Sequence, residues 1–239
     1  VAKNTGRWVV GVHACQEALK TNPSAVKEMY FLEIDNAKSP SWEPHLKKLR
    51  VKPGHKSVNF FRELSEFGHQ GVALLTTHEP EWNSNPDGPS CILFLDGLED
   101  PHNFGAILRT SWLMSVDGIH IPEERSVKMT PTVCKVASGG CEHIPVQETH
   151  FLSEIKRLKD DGYWIYGFSD HATKSLYDVK FSSKTALIVG NEEKGIRVPV
   201  LNQCDEVLNI PQAPTGSSYN VSVATGIAVA ELNRQIRWK

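Results

Sequence analysis

An alternation that begins near residue 90 constrains this chain more than any other feature. Apolar, strand-like runs at 91–95, 118–121, 163–168, 185–189 and 206–210 are separated by stretches of helical character at 104–114, 130–137, 151–159 and 221–237. Strands spaced by helices cannot pair through tight hairpins; they line up side by side, with the helices crossing over both faces. The pattern predicts an α/β fold with a mostly parallel sheet. Ligands of such sheets sit beyond the carboxyl ends of the strands, which singles out the loops after Leu95, Val189 and Ile210.

The stretch from His78 to Pro89 holds three prolines with Asn, Asp and Gly and no apolar periodicity, so it reads as a linker. It divides the chain into a first module at 1–78, a linker at 79–90 and a second module at 91–239. Within the first module the spacing predicts a helix at 12–19, a strand at 28–34, short helices at 44–49 and 57–65, and a strand at 71–76, a small α/β unit. Residues 1–78 carry 11 Lys and Arg against 7 Asp and Glu, whereas the remainder carries 15 against 21. A polyanion is therefore expected at the first module. No apolar run is long enough to span a bilayer, and the chain does not open like a signal peptide. The five cysteines lack paired spacing and zinc-finger histidines, which implies reduced thiols, a cytoplasmic protein and no metal site.

Three strand-end loops carry the polar residues. After Leu95, Pro101 punctuates a turn, Asn103 is placed to cap the next helix, and Arg109 projects from its second turn. After Val189, Gly190 and Gly195 bracket acidic residues in a tight loop; neither a phosphate-binding lysine loop nor a dinucleotide glycine fingerprint is present anywhere. After Ile210, a Ser-rich loop feeds a helix that is small-residue and apolar almost all round, hence expected to be buried against the sheet or a second subunit. Ser218 and Asn220 at its start suit plain capping and a small polar ligand equally.

Together these segments resemble the signature motifs of the SpoU (TrmH) class of RNA ribose methyltransferases: Asn103-Phe-Gly-Ala-Ile-Leu-Arg109-Thr110, Gly190-Asn-Glu-Glu-Lys-Gly195, and Ile210-Pro211 followed by Ser218-Tyr-Asn-Val-Ser-Val-Ala224. In the first module, Val10-Gly-Val-His-Ala14 and His69-Gln-Gly-Val72 are similar to the L30e-like substrate-binding domain of bacterial enzymes that methylate a guanosine ribose in 23S ribosomal RNA. Asp100-Pro-His-Asn103 and Lys135-Val-Ala-Ser-Gly139 point to the same subgroup.

The resemblance implies an S-adenosylmethionine-dependent enzyme acting on structured RNA, a C-terminal trefoil knot, and a homodimer with active sites at its interface. It implies that Arg109, Asn103, Glu192, Ser218 and Asn220 serve catalysis. The cofactor is then held mainly through backbone groups of Val189, Gly190, Asn191, Ile210, Ser218 and Tyr219. The family assigns activation of the ribose hydroxyl to the arginine; because guanidinium groups keep their proton, holding the target phosphate is the preferred role for Arg109. Transfer RNA as substrate, or a non-catalytic RNA-binding or ribosome-assembly protein retaining the fold, are the alternatives. Gln212, Pro214, Gly216 and Tyr219 depart from the family pattern. A proline fixes φ and removes a donor, so this loop is expected to follow its own path.

Overall fold

The computed structural model describes residues 6–33, 42–64, 68–83, 87–124, 126–214 and 217–238. In chain order the elements are β1 (Arg7–Val10), α1 (Val12–Thr21), β2 (Val26–Leu32), α2 (Glu43–Leu46), β3 (Gly54–Lys56), α3 (Val58–Leu64), β4 (Val72–Thr76), β5 (Ser90–Asp96), α4 (Pro101–Leu113), β6 (Gly118–Pro122) and α5 (Pro131–Ala137). They continue with β7 (Val146–Thr149), α6 (Phe151–Asp160), β8 (Trp164–Phe168), β9 (Lys174–Ser175), β10 (Lys184–Gly190), α7 (Val198–Leu201), β11 (Glu206–Asn209) and α8 (Val221–Ile236). The expected strand end at Ile34, the helix end at Ser65, part of the linker and Gly216 lie outside the described residues.

The chain forms two compact units, one of Val1–Pro80 with Lys128–His143, the other of Glu81–Val127 with Ile144–Lys239. In the first, the sheet order is β1-β4-β2-β3, with β4 antiparallel to β1 and β2, and β3 parallel to β2. Helices α1 and α5 pack on β1. The segment carrying α5 thus joins the first unit, although its position in the chain is within the second module of the sequence reading. Arg7 explains the attachment: its guanidinium grips Glu142 through Nη1 to Oε1 at 2.7 Å and Nη2 to Oε2 at 2.6 Å, and also donates to the carbonyls of Cys141 and His78. The Glu142 carboxylate is almost wholly buried, so without this partner it would stand unpaired in the interior.

In the second unit, seven strands run in the order β7-β6-β5-β10-β8-β11-β9 and every pairing is parallel, as the alternation predicts. Interior strand β5 is buried at every position, the mark of a strand covered on both faces. Ile92 and Phe94 of β5, Ala186 and Ile188 of β10, and Ile165 of β8 form a core with Phe151, Ile155 and Leu158 of α6 and Val200 of α7. Helix α8 packs on α4 and β10. It is not buried all round, as its composition suggests: Thr225, Ala228, Val229 and Leu232 face inward while Val223 is 49 % exposed. No described helix is long and apolar enough to cross a membrane.

Trp82, inside the stretch read as linker, is anchored. Its ring lies against Gly118, where a Cβ would come within 2.3 Å of it, and packs on His120 at 4.6 Å between centroids. Burial holds the His120 pKa down to about 4; Glu154, 3.3 Å from Nε2, pulls the other way and does not prevail.

Two outcomes follow from these buried groups. Arg7→Met leaves the buried Glu142 carboxyl without its partner and should lower stability by about 3–5 kcal/mol in chemical denaturation, whereas Arg7→Met combined with Glu142→Leu should recover most of the loss. Below pH 6.5 the unfolded chain binds a proton that folded His120 refuses until about pH 4, so this group makes stability fall with pH across that window. Denaturation at pH 7 and pH 5 should show a loss about 2 kcal/mol larger in the wild type than in His120→Phe.

Candidate functional site

Because all seven strands are parallel, their carboxyl ends share one edge, and the loops after β5, β8, β10 and β11 gather there. Strands β5 and β10 are neighbours in a register that sets Leu95 opposite Val189 and Asp96 opposite Gly190. The first two motif loops therefore leave the sheet side by side.

The Gly190–Gly195 loop is closed by its own backbone: Gly195 N donates to Asn191 O at 2.8 Å and Asn191 N to Gly195 O at 3.2 Å. The Asn191 side chain serves both sides, accepting from Glu193 N at 2.9 Å through Oδ1 and donating to Gly97 O at 3.1 Å through Nδ2. Only glycine fits at 190, since a Cβ would lie 2.1 Å from the Gly195 carbonyl carbon. Beyond the loop, Asp96 secures the chain. Its carboxylate, 1 % exposed, accepts the backbone N–H of Arg197 at 2.8 Å and Nε at 2.7 Å.

Asn103 does not cap α4. Asp100 is the cap, accepting the His102 N–H at 2.9 Å, because the helix begins at Pro101, two residues before Asn103. The freed amide of Asn103 instead joins the motifs: Nδ2 donates to Glu192 Oε1 at 2.6 Å, and Oδ1 accepts from Asn220 Nδ2 at 2.9 Å. Asn220 also caps α8, its Oδ1 accepting the Ser222 N–H at 2.9 Å. Both readings of Asn220 hold at once, since one end of the amide caps and the other reaches across.

Beside this chain of amides lies a cavity of about 380 Å³. Val189, Ile196, Leu201, Ile210 and Val221 supply its apolar wall, and Gly190, Asn191, Glu192, Ser218 and Tyr219 its mouth. The predicted cofactor residues Val189, Gly190, Asn191, Ile210, Ser218 and Tyr219 thus converge. The unusual loop contributes too: Gln212 lines the cavity, and the Tyr219 hydroxyl donates to Pro211 O at 3.4 Å, bridging its two ends. Ser169, Asp170 and His171, from the loop after β8, also line it. Sequence reasoning missed them, and missed Asp96 as well, although a carboxylate ending an otherwise apolar strand was a usable signal.

Arg109 is not brought into the cavity. It is exposed on α4, about 9 Å along the helix axis from Asn103, and makes no hydrogen bond or ion pair with a described residue. Among the described residues no group of three His, Cys, Asp or Glu could hold a metal ion.

The cavity fits S-adenosylmethionine in its construction. Its volume is within the range of small-molecule sites, it joins an apolar slot to a polar mouth, and it carries carboxylates suited to a cationic ligand. Gly190→Ala, which drives a methyl group into the facing backbone, should cost roughly 1–3 kcal/mol of stability and weaken calorimetric S-adenosylmethionine binding.

Comparison with known proteins agrees with this arrangement. Residues 90–230 match the SpoU rRNA Methylase family, and residues 8–82 match the RNA 2′-O ribose methyltransferase substrate-binding family. The chain is 33 % identical over 243 residues, 95 % of its length and 96 % of the relative's, to a Pseudomonas aeruginosa protein named 23S rRNA (guanosine-2′-O-)-methyltransferase RlmB. Its fold is that of the SpoU methyltransferase AviRb from Streptomyces viridochromogenes, with TM-score 0.80 at 19 % identity over 97 % of this chain and 90 % of that one. A Sinorhizobium meliloti rRNA methyltransferase solved with AdoMet bound gives TM-score 0.78 at 19 % identity over 96 % and 87 %. The chain belongs to the SpoU rRNA methylase family, the S-adenosylmethionine-dependent RNA 2′-O-methyltransferases.

Proposed function

We propose that this chain transfers a methyl group from S-adenosylmethionine to the 2′-hydroxyl of a guanosine ribose in 23S ribosomal RNA. The observation that carries the reading is the hydrogen-bonded chain Asn220–Asn103–Glu192, which ties three separate motifs together beside one cavity that Glu192 lines. A relative 33 % identical over nearly the whole chain, named for that reaction, supports the choice of RNA and nucleotide. A ribosomal substrate makes the cytoplasm the site of the reaction.

When bound, S-adenosylmethionine supplies an electrophilic methyl carbon, so the protein's task is alignment and removal of one proton. Val189, Ile210 and the loop backbone at Gly190 and Tyr219 would hold it. Asn103 spends both polar ends of its side chain on Glu192 and Asn220 and is therefore a positioning residue. Through Asn103 the Glu192 carboxylate keeps a fixed orientation at the mouth. Ser218, whose hydroxyl makes no hydrogen bond with a described residue, is available to the ribose. Arg109 clamps the phosphate of the target nucleotide and keeps its charge throughout, the hydroxyl proton leaving to that phosphate or to water.

Arg109 lies outside the cavity lining, which favours a site completed by a second copy of the chain. Leu113, Val223 and Trp238, exposed on α4, on α8 and just beyond α8, are apolar surface that such a homodimer would cover. The family's trefoil knot belongs to the same reading. Arg109→Ala should abolish methyl transfer, read by mass spectrometry of nuclease-digested RNA, while calorimetric affinity for S-adenosylmethionine changes less than about threefold. Wild-type turnover in that variant would remove Arg109 from the mechanism.

A further inference from the structure

The first unit carries a surface that its fold does not use. Its sheet is covered unequally: among the described residues, α1 and α5 pack over one face, while only α3, seven residues long, packs over the other. On the sparsely covered face, Val10, Ala73 and Phe61 are buried, but Trp8 of β1, Tyr30 of β2 and Phe60 of α3 remain half-exposed. These three rings form one cluster: Trp8 stacks on Tyr30 at 6.3 Å between centroids, and Phe60 meets both edge-on at 5.6 and 5.3 Å.

A cation sits over the cluster. Lys56 Nζ lies 4.9 Å from the Tyr30 ring centroid and 5.5 Å from that of Phe60. Lys56 is also the last residue of a strongly basic run, Lys47-Lys-Leu-Arg-Val-Lys-Pro-Gly-His-Lys56, which contains no acidic residue. Lys47, Lys48, Arg50 and Lys52 are exposed and form no ion pair with a described residue. The run leads from the end of α2, which packs on α1, into β3, the edge strand of the sheet, and only Lys56 at its far end reaches the rings. Opposing it are Glu28, already accepting from the Tyr30 hydroxyl at 2.9 Å, and exposed Glu33, whose backbone N–H donates to the Lys56 carbonyl at 2.9 Å.

Two demands meet here that a single ligand class satisfies. Half-exposed aromatic rings offer stacking to planar groups, and a run of cations without ion pairs to described residues offers neutralisation to a chain of phosphates. Paired RNA hides its base faces inside the helix, so it could use the charges but not the rings. We propose that Trp8, Tyr30, Phe60 and Lys56, with the basic run 47–52, form a binding site for an unpaired RNA segment, which holds substrate RNA by base stacking and backbone charge. The proposal rests on the RNA-methylating function above and adds the part of the RNA that is gripped.

The test uses the full chain and fluorescently labelled RNA of one length, as an unpaired oligonucleotide and as a hairpin duplex, in anisotropy titrations across a salt series. The unpaired strand should bind at least about tenfold more tightly than the duplex, given 1–3 kcal/mol per stacked base. Replacing Lys47, Lys48, Arg50 and Lys52 by Ala should weaken binding and flatten the log–log salt dependence by about 3, at ~0.7 for each phosphate that is no longer neutralised. Tyr30→Leu with Phe60→Leu should weaken binding without changing that slope. Photocrosslinking of the wild-type protein to the unpaired strand should mark peptides containing Trp8, Tyr30 or Phe60, a readout independent of any variant's folding. Equal binding of duplex and single strand, crosslinks confined to other peptides, or self-association that the four-alanine variant abolishes would each overturn the proposal. Calorimetry with S-adenosylmethionine and methyl transfer are measured alongside. Loss of those with intact RNA binding would refute the enzymatic reading and leave this surface standing.

Discussion

The geometry of the site depends on one buried charge. Asp96 ends β5, an interior strand of the sheet, where a carboxylate without a partner would be expensive, and Arg197 supplies both a main-chain and a side-chain donor. That double attachment brings the chain that leaves the Gly190–Gly195 loop back to the strand where the first motif begins. The loop has no latitude between its two fixed ends and folds onto itself, which is why position 190 admits no side chain. With the loop set, Glu192 is in reach of Asn103, and Asn103 in reach of Asn220. The polar chain across the motifs is thus downstream of a single ion pair at the sheet edge.

How far the fold can be read from the sequence follows from where each strand lies. The interior strands β5, β6, β8, β10 and β11 are covered on both sides by neighbours and carry apolar runs that stand out. The four strands that sequence reasoning passes over, β1, β3, β7 and β9, are the outer strands of the two sheets. An edge strand has one hydrogen-bonding partner and more solvent, so polar residues such as Gln147, Glu148 and Lys174 are acceptable or protective there. Its extended form comes from the neighbour it pairs with, a tertiary cause that leaves no local pattern. The allegiance of α5 is hidden for the same reason, since it rests on Arg7 and Glu142, 135 residues apart.

The residues around the cavity stand out in the sequence because they cluster at strand ends, where polar types interrupt apolar runs. Position alone could not say how they would be used. Asn103 looked like a cap because it precedes an apolar helix, but Asp100 with Pro101 starts that helix earlier and releases the Asn103 amide. Asp170 and His171 were invisible because their place at the cavity depends on β8 pairing between β10 and β11, which no spacing within the chain reveals.

The return of Lys128–His143 to the first unit has a consequence during synthesis. A ribosome finishes the strands of the small sheet long before it reaches Glu142, so β1 emerges with its arginine charged and facing no counterion. The amino-terminal unit is complete only after β5, α4 and β6 have been made and the chain has come back with Lys128–His143. The two units are therefore coupled in the order of their birth. The half-built sheet must stay competent, and unaggregated, across the translation of about fifty intervening residues, between Pro80 and Lys128.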